Sequence, residues 1–126
     1  MKMDLHIEIE FQEVLLVVTA RGSVAFETAL RLFKHVFDTA AEHRATRILV
    51  DALAVDGELA VFERYQLGSE LGAYLEQHQM NFKVAVVGGP PAVTGFAVRV
   101  LQNRDIVART FSHQREALSW LEKHPG

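Results

Sequence analysis

Three carboxylates, at Asp51, Asp56 and Glu58, follow an apolar run at residues 48–50 and are the side chains best suited to bind a cation. Their spacing, D-x4-D-x-E, matches no calcium-binding loop, and no further carboxylate follows at the distance such a loop requires. Each acid also has a local role. Asp51 ends a predicted strand, Asp56 begins a turn with Gly57, and Glu58 lies near a helix start, where negative charge is favoured. We therefore predict no metal site in this segment.

The sequence also offers no cysteine and no histidine pair with the spacing of a metal site. The chain has no cysteine, which excludes disulfides, thiolate nucleophiles and cysteine-based metal sites. No two histidines form an HxxxH or HExxH pair. His35 and His43 are eight residues apart, so they project about 80° from one another around a helix and do not face one ion. We interpret all six histidines as surface residues: His6, His35, His43, His78, His113 and His124.

The segment GSELG, residues 68–72, resembles a nucleophilic serine motif only in part. The strand-turn-helix elbow requires G-x-S-x-G, whereas Ser69 directly follows the first glycine and lies inside a predicted helix. Gly68 and Gly72 are one helical turn apart and together form a flat face. They predict that a neighbouring element approaches closely there.

The segment VGGPP, residues 87–91, ends a strand and precedes a helix, where α/β proteins bind anions with free backbone N–H groups. Pro90 and Pro91 lack that N–H group, and no GxGxxG or GKS/T motif follows. We interpret the segment as a turn with proline at the first helical position. No nucleophile, base and orienting group converge anywhere in the sequence, so we expect no enzymatic activity and no cofactor.

The apolar pattern predicts the elements that position these residues. Leu5, Ile7, Ile9 and Phe11 alternate with polar residues, which is typical of an edge strand, and the continuous run at residues 14–18 predicts a buried strand paired with it in a hairpin. The elements that follow are a helix capped by Ser23 and ending near His43, a strand at residues 48–50, a helix over residues 60–78, a strand from Lys83, a helix to about Asn103, a strand at residues 106–111 and a C-terminal helix.

Two of these helices need further argument. The segment before Asn103 also reads as a strand, but a parallel crossover of this length favours a helix. The helix over residues 60–78 takes its apolar side from Phe62, Tyr65, Leu71, Tyr74 and Leu75.

The resulting order, β-β-α-β-α-β-α-β-α, indicates an α/β protein. We predict a single mixed, mostly parallel sheet with an N-terminal antiparallel hairpin, packed by about four helices, in one domain over residues 1–126. Composition agrees with a folded domain, since 49% of the residues are hydrophobic and 23% are charged.

Composition also limits the classes of partner that we predict. The net charge is −3, and the basic residues form no cluster, so no nucleic-acid partner is predicted. No apolar run reaches the roughly 18 residues that a membrane span needs, and the N-terminal residues alternate instead of forming a signal sequence. We expect a cytoplasmic protein.

Several segments resemble the STAS-type fold of bacterial anti-sigma-factor antagonists and, more closely, the SpoIIAA-like family. They are ILVDALAVDGEL with the following FERYQLG, then KVAVVGGPP, the NRD at residues 103–105, and TFSHQREALSWLE. The resemblance implies a four- or five-stranded mixed sheet and a role in binding or regulation. The broader fold is also similar to lipid-carrying CRAL-TRIO domains.

The resemblance also points to a missing residue. Anti-sigma-factor antagonists are switched by phosphorylation of a serine roughly nine residues beyond the aspartate that ends the strand, which adds negative charge at that position. Counting from Asp51 leads to Ala60 and Val61, and no serine or threonine occurs from Asp51 to Phe62. We predict that this phosphorylation switch is absent.

Two functional hypotheses follow. The first is a non-enzymatic regulatory or protein-interaction domain, whose candidate partner or ligand surface is Asp56, Glu58, Phe62, Arg64, Tyr65, Gly89 and Pro90. Helical spacing favours a core position for Phe62 and Tyr65, the two aromatic residues of this set. The second is a carrier or sensor of a small apolar or lipid-like ligand, which requires a pocket of about 300 Å³ or more. Homodimers through an edge strand or an apolar helix face are a further expectation.

Overall fold

The computed structural model describes residues 4–123, which form five strands and four helices. The strands are β1 (His6–Gln12), β2 (Leu15–Ser23), β3 (Arg47–Asp56), β4 (Lys83–Val87) and β5 (Val107–Phe111). The helices are α1 (Phe26–Glu42), α2 (Val61–Gln77), α3 (Phe96–Gln102) and α4 (Gln114–Lys123). His124 lies outside the described residues.

The five strands form one sheet in the order β1-β2-β3-β4-β5. β1 pairs antiparallel with β2, and each following pair is parallel. The predicted α/β class, the N-terminal hairpin and the mostly parallel sheet are therefore confirmed. The ambiguous segment before Asn103 is helix α3, as the crossover argument predicted.

Different helices pack against the two faces of the sheet. Alternate strand residues such as Val18, Ile48 and Val84 face α1, α2 and α3, and they form the larger buried cluster. The intervening residues, among them Leu49 and Ala85, pack against α4. Three successive crossovers of the same hand place the first three helices on one face, which leaves the other face for the C-terminal helix.

The prediction for the end of β3 was wrong. The strand does not end at Asp51 but continues to Asp56, because the extended end of β2 pairs with it as far as Ser23 opposite Asp56. Ser23 is accordingly the last residue of β2 and not a helix cap. Its hydroxyl donates to Asp56 Oδ1 at 2.6 Å, and Ala25 occupies the N-cap position of α1.

The prediction for VGGPP was also partly wrong. The two prolines lie in a turn, but α3 begins at Phe96, so Pro91 is not at the first helical position. Gly95 directly precedes the helix with a φ of +85°, a left-handed conformation that glycine adopts without steric cost. The chain therefore changes direction at Gly95 before the helix begins.

Gly68 and Gly72 confirm the close approach that their spacing predicted. A Cβ atom at Gly68 would lie 2.7 Å from the carbonyl oxygen of Ala97 on α3. At Gly72 it would meet the side chain of Arg104. The two glycines thus allow α3 to pack directly on the backbone of α2.

A buried cation, which sequence reasoning missed, fixes the end of α4. Lys83 is the first residue of β4, and its Nζ donates to the carbonyl oxygen of Trp120 at 2.7 Å and lies 4.5 Å from the centre of the Trp120 ring. Burial lowers the pKa of Lys83, and the nearby charge of Arg47 lowers it further. The carbonyl end of a helix favours a cation, so this contact stabilises the packing of α4 on the sheet.

Candidate functional site

Three large apolar side chains are exposed at the start of α2. Val61 is 62% exposed, Phe62 is 72% exposed and Tyr65 is 56% exposed. In a helix, residue 65 lies three and four positions from the other two, so all three side chains share one side of the first turn. We call these three residues the α2 surface.

The expectation that Phe62 and Tyr65 belong to the core was wrong. The buried side of α2 carries Leu67, Leu71 and Leu75, together with the two glycines. At about 100° per residue, Phe62 projects about 180° from Leu71, and Tyr65 projects about 160° from Leu67. The two aromatic side chains therefore point away from the sheet, and the exposed Val61 beside them was not predicted.

Local interactions hold this first turn in place. Gly57, with a φ of +87°, follows the last residue of β3, and Leu59 is buried before the helix begins. The backbone N–H of Ala60 donates to Glu63 Oε1 at 2.9 Å. This contact satisfies a free N–H group at the helix start, where a negative charge is also favoured.

Glu58 and Arg64, two of the predicted site residues, form an ion pair beside the α2 surface. Arg64 Nη2 lies 3.3 Å from Glu58 Oε2, and the arginine side chain is only 17% exposed. Because the glutamate is largely exposed, the pair contributes at most about 1 kcal/mol to stability. Its effect is to hold the guanidinium group close to the body of the protein.

The three acids of the β3 segment do not converge on one point. Asp51 Oδ1 accepts a hydrogen bond from the backbone N–H of Leu53, Asp56 accepts one from Ser23, and Glu58 pairs with Arg64. Within residues 4–123, no three histidine, aspartate or glutamate side chains are grouped so as to hold a metal ion. The acids instead give this end of the sheet a negative charge.

Gly89 and Pro90 are exposed beyond the end of β4 and line a different, polar cavity. This cavity has a volume of about 380 Å³ and is also lined by Arg109, Thr110 and Ser112. It lies at the carboxyl ends of β4 and β5, where α/β proteins commonly place their sites. The structure thus assigns the seven predicted residues to two separate regions, the start of α2 and this cavity.

An apolar cavity of about 140 Å³ lies between the sheet and the helices α1, α2 and α3. Its walls include Ala52 and Leu59 on one side and the segment at residues 92–95 on the other. The space between the end of β3 and the segment that follows VGGPP is therefore open and not filled. Arg64 also lines it, from the side of α2.

The chain was compared with known proteins. A scan against known protein families found no match, and a search of curated proteins found none either. Among solved structures, an anti-sigma factor antagonist from Mycobacterium paratuberculosis is similar over 94% of this chain and 95% of its own, with a TM-score of 0.60 and 15% identity. An uncharacterised protein of the DUF3478 family from Shewanella loihica PV-4, described as having a SpoIIAA-like fold, is similar over 93% of both chains, with a TM-score of 0.52 and 24% identity.

The chain has a SpoIIAA-like fold. The structural similarity over more than nine-tenths of the chain establishes this fold. In this SpoIIAA-like chain, no serine or threonine occurs from Asp51 to Gly68, and the first one on α2 is Ser69. The Ser69 hydroxyl accepts a hydrogen bond from Arg104 Nη2 at 3.4 Å, at the contact with α3 and away from the first turn. Within residues 4–123, no helix is both long and apolar enough to cross a bilayer.

Proposed function

We propose that this protein is a non-enzymatic regulatory domain that binds another protein through the α2 surface. The observation that carries the proposal is the exposure of Phe62 and Tyr65 on the outer side of a helix whose inner side is buried. Exposed apolar residues that cluster on one face mark interaction sites, and aromatic residues supply much of the binding energy at such sites.

Charge around the α2 surface suggests the chemistry of the partner. Asp56, Glu58 and Glu63 border the first turn of α2, and Arg64 is engaged by Glu58. Complementary potentials speed association and suppress wrong partners. The partner we propose therefore presents an apolar side chain flanked by lysine or arginine.

The fold supports a regulatory role, since one of the similar structures is an anti-sigma factor antagonist. Phosphorylation at the start of α2 does not control binding in our proposal, because the segment from Asp51 to Gly68 offers no serine or threonine as an acceptor. We place the protein in the cytoplasm and assign it no cofactor. Gly89 and Pro90, which line the separate polar cavity, are proposed as a second contact region and not as part of the α2 surface.

Affinity capture from the native cells, followed by mass spectrometry, tests the proposal. The wild-type protein is expected to recover a stoichiometric protein partner, and Phe62→Asp should reduce that recovery about tenfold or more. The matched control is Val14→Asp, which alters a 46% exposed valine in the turn between β1 and β2 and should leave recovery unchanged. Recovery of no protein besides the chain itself, or equal recovery by both variants, would contradict the proposal.

A carrier or sensor of a small apolar ligand is the second candidate function. The apolar cavity between the sheet and the helices α1, α2 and α3 is the observation that favours it. Its volume of about 140 Å³ is below the 300 Å³ or so expected for a lipid-like ligand, which restricts this candidate to a smaller apolar ligand. Native mass spectrometry of the protein purified from its own cells should show an additional bound mass. A spectrum of the bare chain alone would count against this function.

A further inference from the structure

We propose that the apolar cavity binds a compact, uncharged molecule of about the size of benzene. This inference specifies the ligand class of the second candidate function and rests on it, and it is independent of the protein partner. It concerns the inner side of α2, whereas the α2 surface is on the outer side.

The cavity arises where side chains become smaller along the sheet. On the face covered by α1, α2 and α3, β2 changes from Val18 to Ala20, and β3 changes from Val50 to Ala52. Ala29 of α1 also borders the space. Protein interiors are normally packed with few voids larger than a water molecule, and we therefore interpret a space bordered by small residues from three different elements as a binding site.

The walls of the cavity select against charge. Among the residues that line it, only Arg64 and Thr94 have polar side chains. The guanidinium of Arg64 is already paired with Glu58. A cationic ligand would lose its hydration without gaining a partner, and an anionic ligand would have to compete with Glu58 for the guanidinium, whereas an apolar cavity of this size accepts apolar molecules.

The volume of the cavity selects against lipids. Sites for drug-sized ligands occupy about 300–1,000 Å³, well above the volume of about 140 Å³ found here. A single aromatic ring or a short branched hydrocarbon fits this space, whereas a long acyl chain does not.

The apolar cavity adjoins the polar cavity at the carboxyl end of the sheet. Val93, Thr94 and Gly95 line both this cavity and the polar cavity beside Gly89. Among the described residues, these three form the wall that the two cavities share.

Titration of the full chain with benzene, indole and decanoate tests the ligand class. Benzene or indole should raise the Tm in a saturable way, because a ligand that binds only the folded state stabilises it. The methyl NMR signals of Leu71 and Val84, which line the cavity, should shift in the same titration. A Tm unchanged by benzene and indole, or a saturable rise with decanoate alone, would overturn the proposal.

Two matched variants test the space itself. Ala29→Leu places a larger side chain on the cavity wall, and Ala40→Leu makes the same change at an equally buried position of α1 that does not line the cavity. Ala29→Leu should raise the Tm and remove the response to benzene. Ala40→Leu should lower the Tm and retain the response. If Ala29→Leu lowers the Tm as much as Ala40→Leu does, the space does not exist.

The outcome also separates this inference from the function on which it rests. A long-chain mass on the native protein, together with no response to the two aromatic probes, overturns the ligand class and leaves the carrier function intact. A native protein without added mass that still responds to benzene supports the inference and removes the carrier function.

Discussion

Gly68 determines how closely α2 and α3 can pack. The carbonyl oxygen of Ala97 and the side chain of Val100 occupy the space that a Cβ atom would take. Backbone atoms of a helix cannot move aside without displacing the whole helix. The cost of glycine in a helix, about 1 kcal/mol relative to alanine, is therefore offset by the contact that it permits.

Replacing each of the two α2 glycines by alanine should separate the effect of helix propensity from the effect of close packing on stability. We expect Gly68→Ala to lower the free energy of unfolding by about 1–3 kcal/mol, since overpacking against Ala97 outweighs the better helix propensity. Gly72→Ala is the control, because its new methyl group meets the side chain of Arg104, which can move. Its effect should stay within about 1 kcal/mol. Urea unfolding of both variants measures the difference, and equal stability of Gly68→Ala and wild type would contradict the packing argument.

Among the helices, α1 and α2 are joined by a hydrogen bond from the Tyr74 hydroxyl to Asp38 Oδ1 at 2.5 Å. This hydrogen bond raises the pKa of Tyr74, and burial and the charge of Asp38 act in the same direction. Because the pKa is raised in the folded state, the contribution to stability is complete below the ordinary pKa of tyrosine, about 10. It is lost as the pH rises through the folded-state pKa.

Comparison of wild type with Tyr74→Phe between about pH 9 and pH 11 tests this contact. The stability advantage of the wild type should decrease as the pH rises through this range. The pKa of Lys83 is lowered in the folded state, so its contribution has the opposite sign: folding becomes more favourable as the pH rises toward the ordinary pKa of lysine. Because Lys83 is present in both proteins, this contribution cancels in the difference between them. A pH-independent difference would show that the hydrogen bond does not join the helices.

Absorbance of the Tyr65→Phe variant measures the pKa of Tyr74 directly, because Tyr74 is then the single tyrosine of the chain. Its phenolate absorbance should have a midpoint above pH 10.

The elements were predictable where a local pattern decides them. The edge strand, the buried strands and the two long helices follow from apolar periodicity, and topology assigned α3. The end of β3 was not predictable, because pairing with β2 carries the strand from Asp51 to Asp56. Strand length in that region depends on a partner more than thirty residues away in sequence.

The candidate site was less predictable than the fold. Glu58, Phe62, Arg64 and Tyr65 were proposed as candidate site residues, and that proposal stays a prediction, but the side of α2 on which the aromatic residues lie was assigned wrongly. The four-residue repeat of Leu67, Leu71 and Leu75 was a signal that could have fixed the buried side. The cavity could not be predicted, because it depends on alanines from separate elements meeting at one level of the fold.

At the scale of the whole molecule, α2 has two different faces. Its inner face closes an apolar cavity, and its outer face carries the α2 surface. We propose a binding role for each of these two faces.

Photocrosslinking in the native cells tests the central claim, that the α2 surface binds a protein partner. A photoreactive phenylalanine derivative at position 62 should capture one defined protein, because Phe62 is the most exposed residue of that surface. The same derivative at position 14, which is exposed at the opposite end of the sheet, should capture none. A single crosslinked product specific to position 62 is the predicted result. Identical products at the two positions, or no product at position 62, would contradict the account.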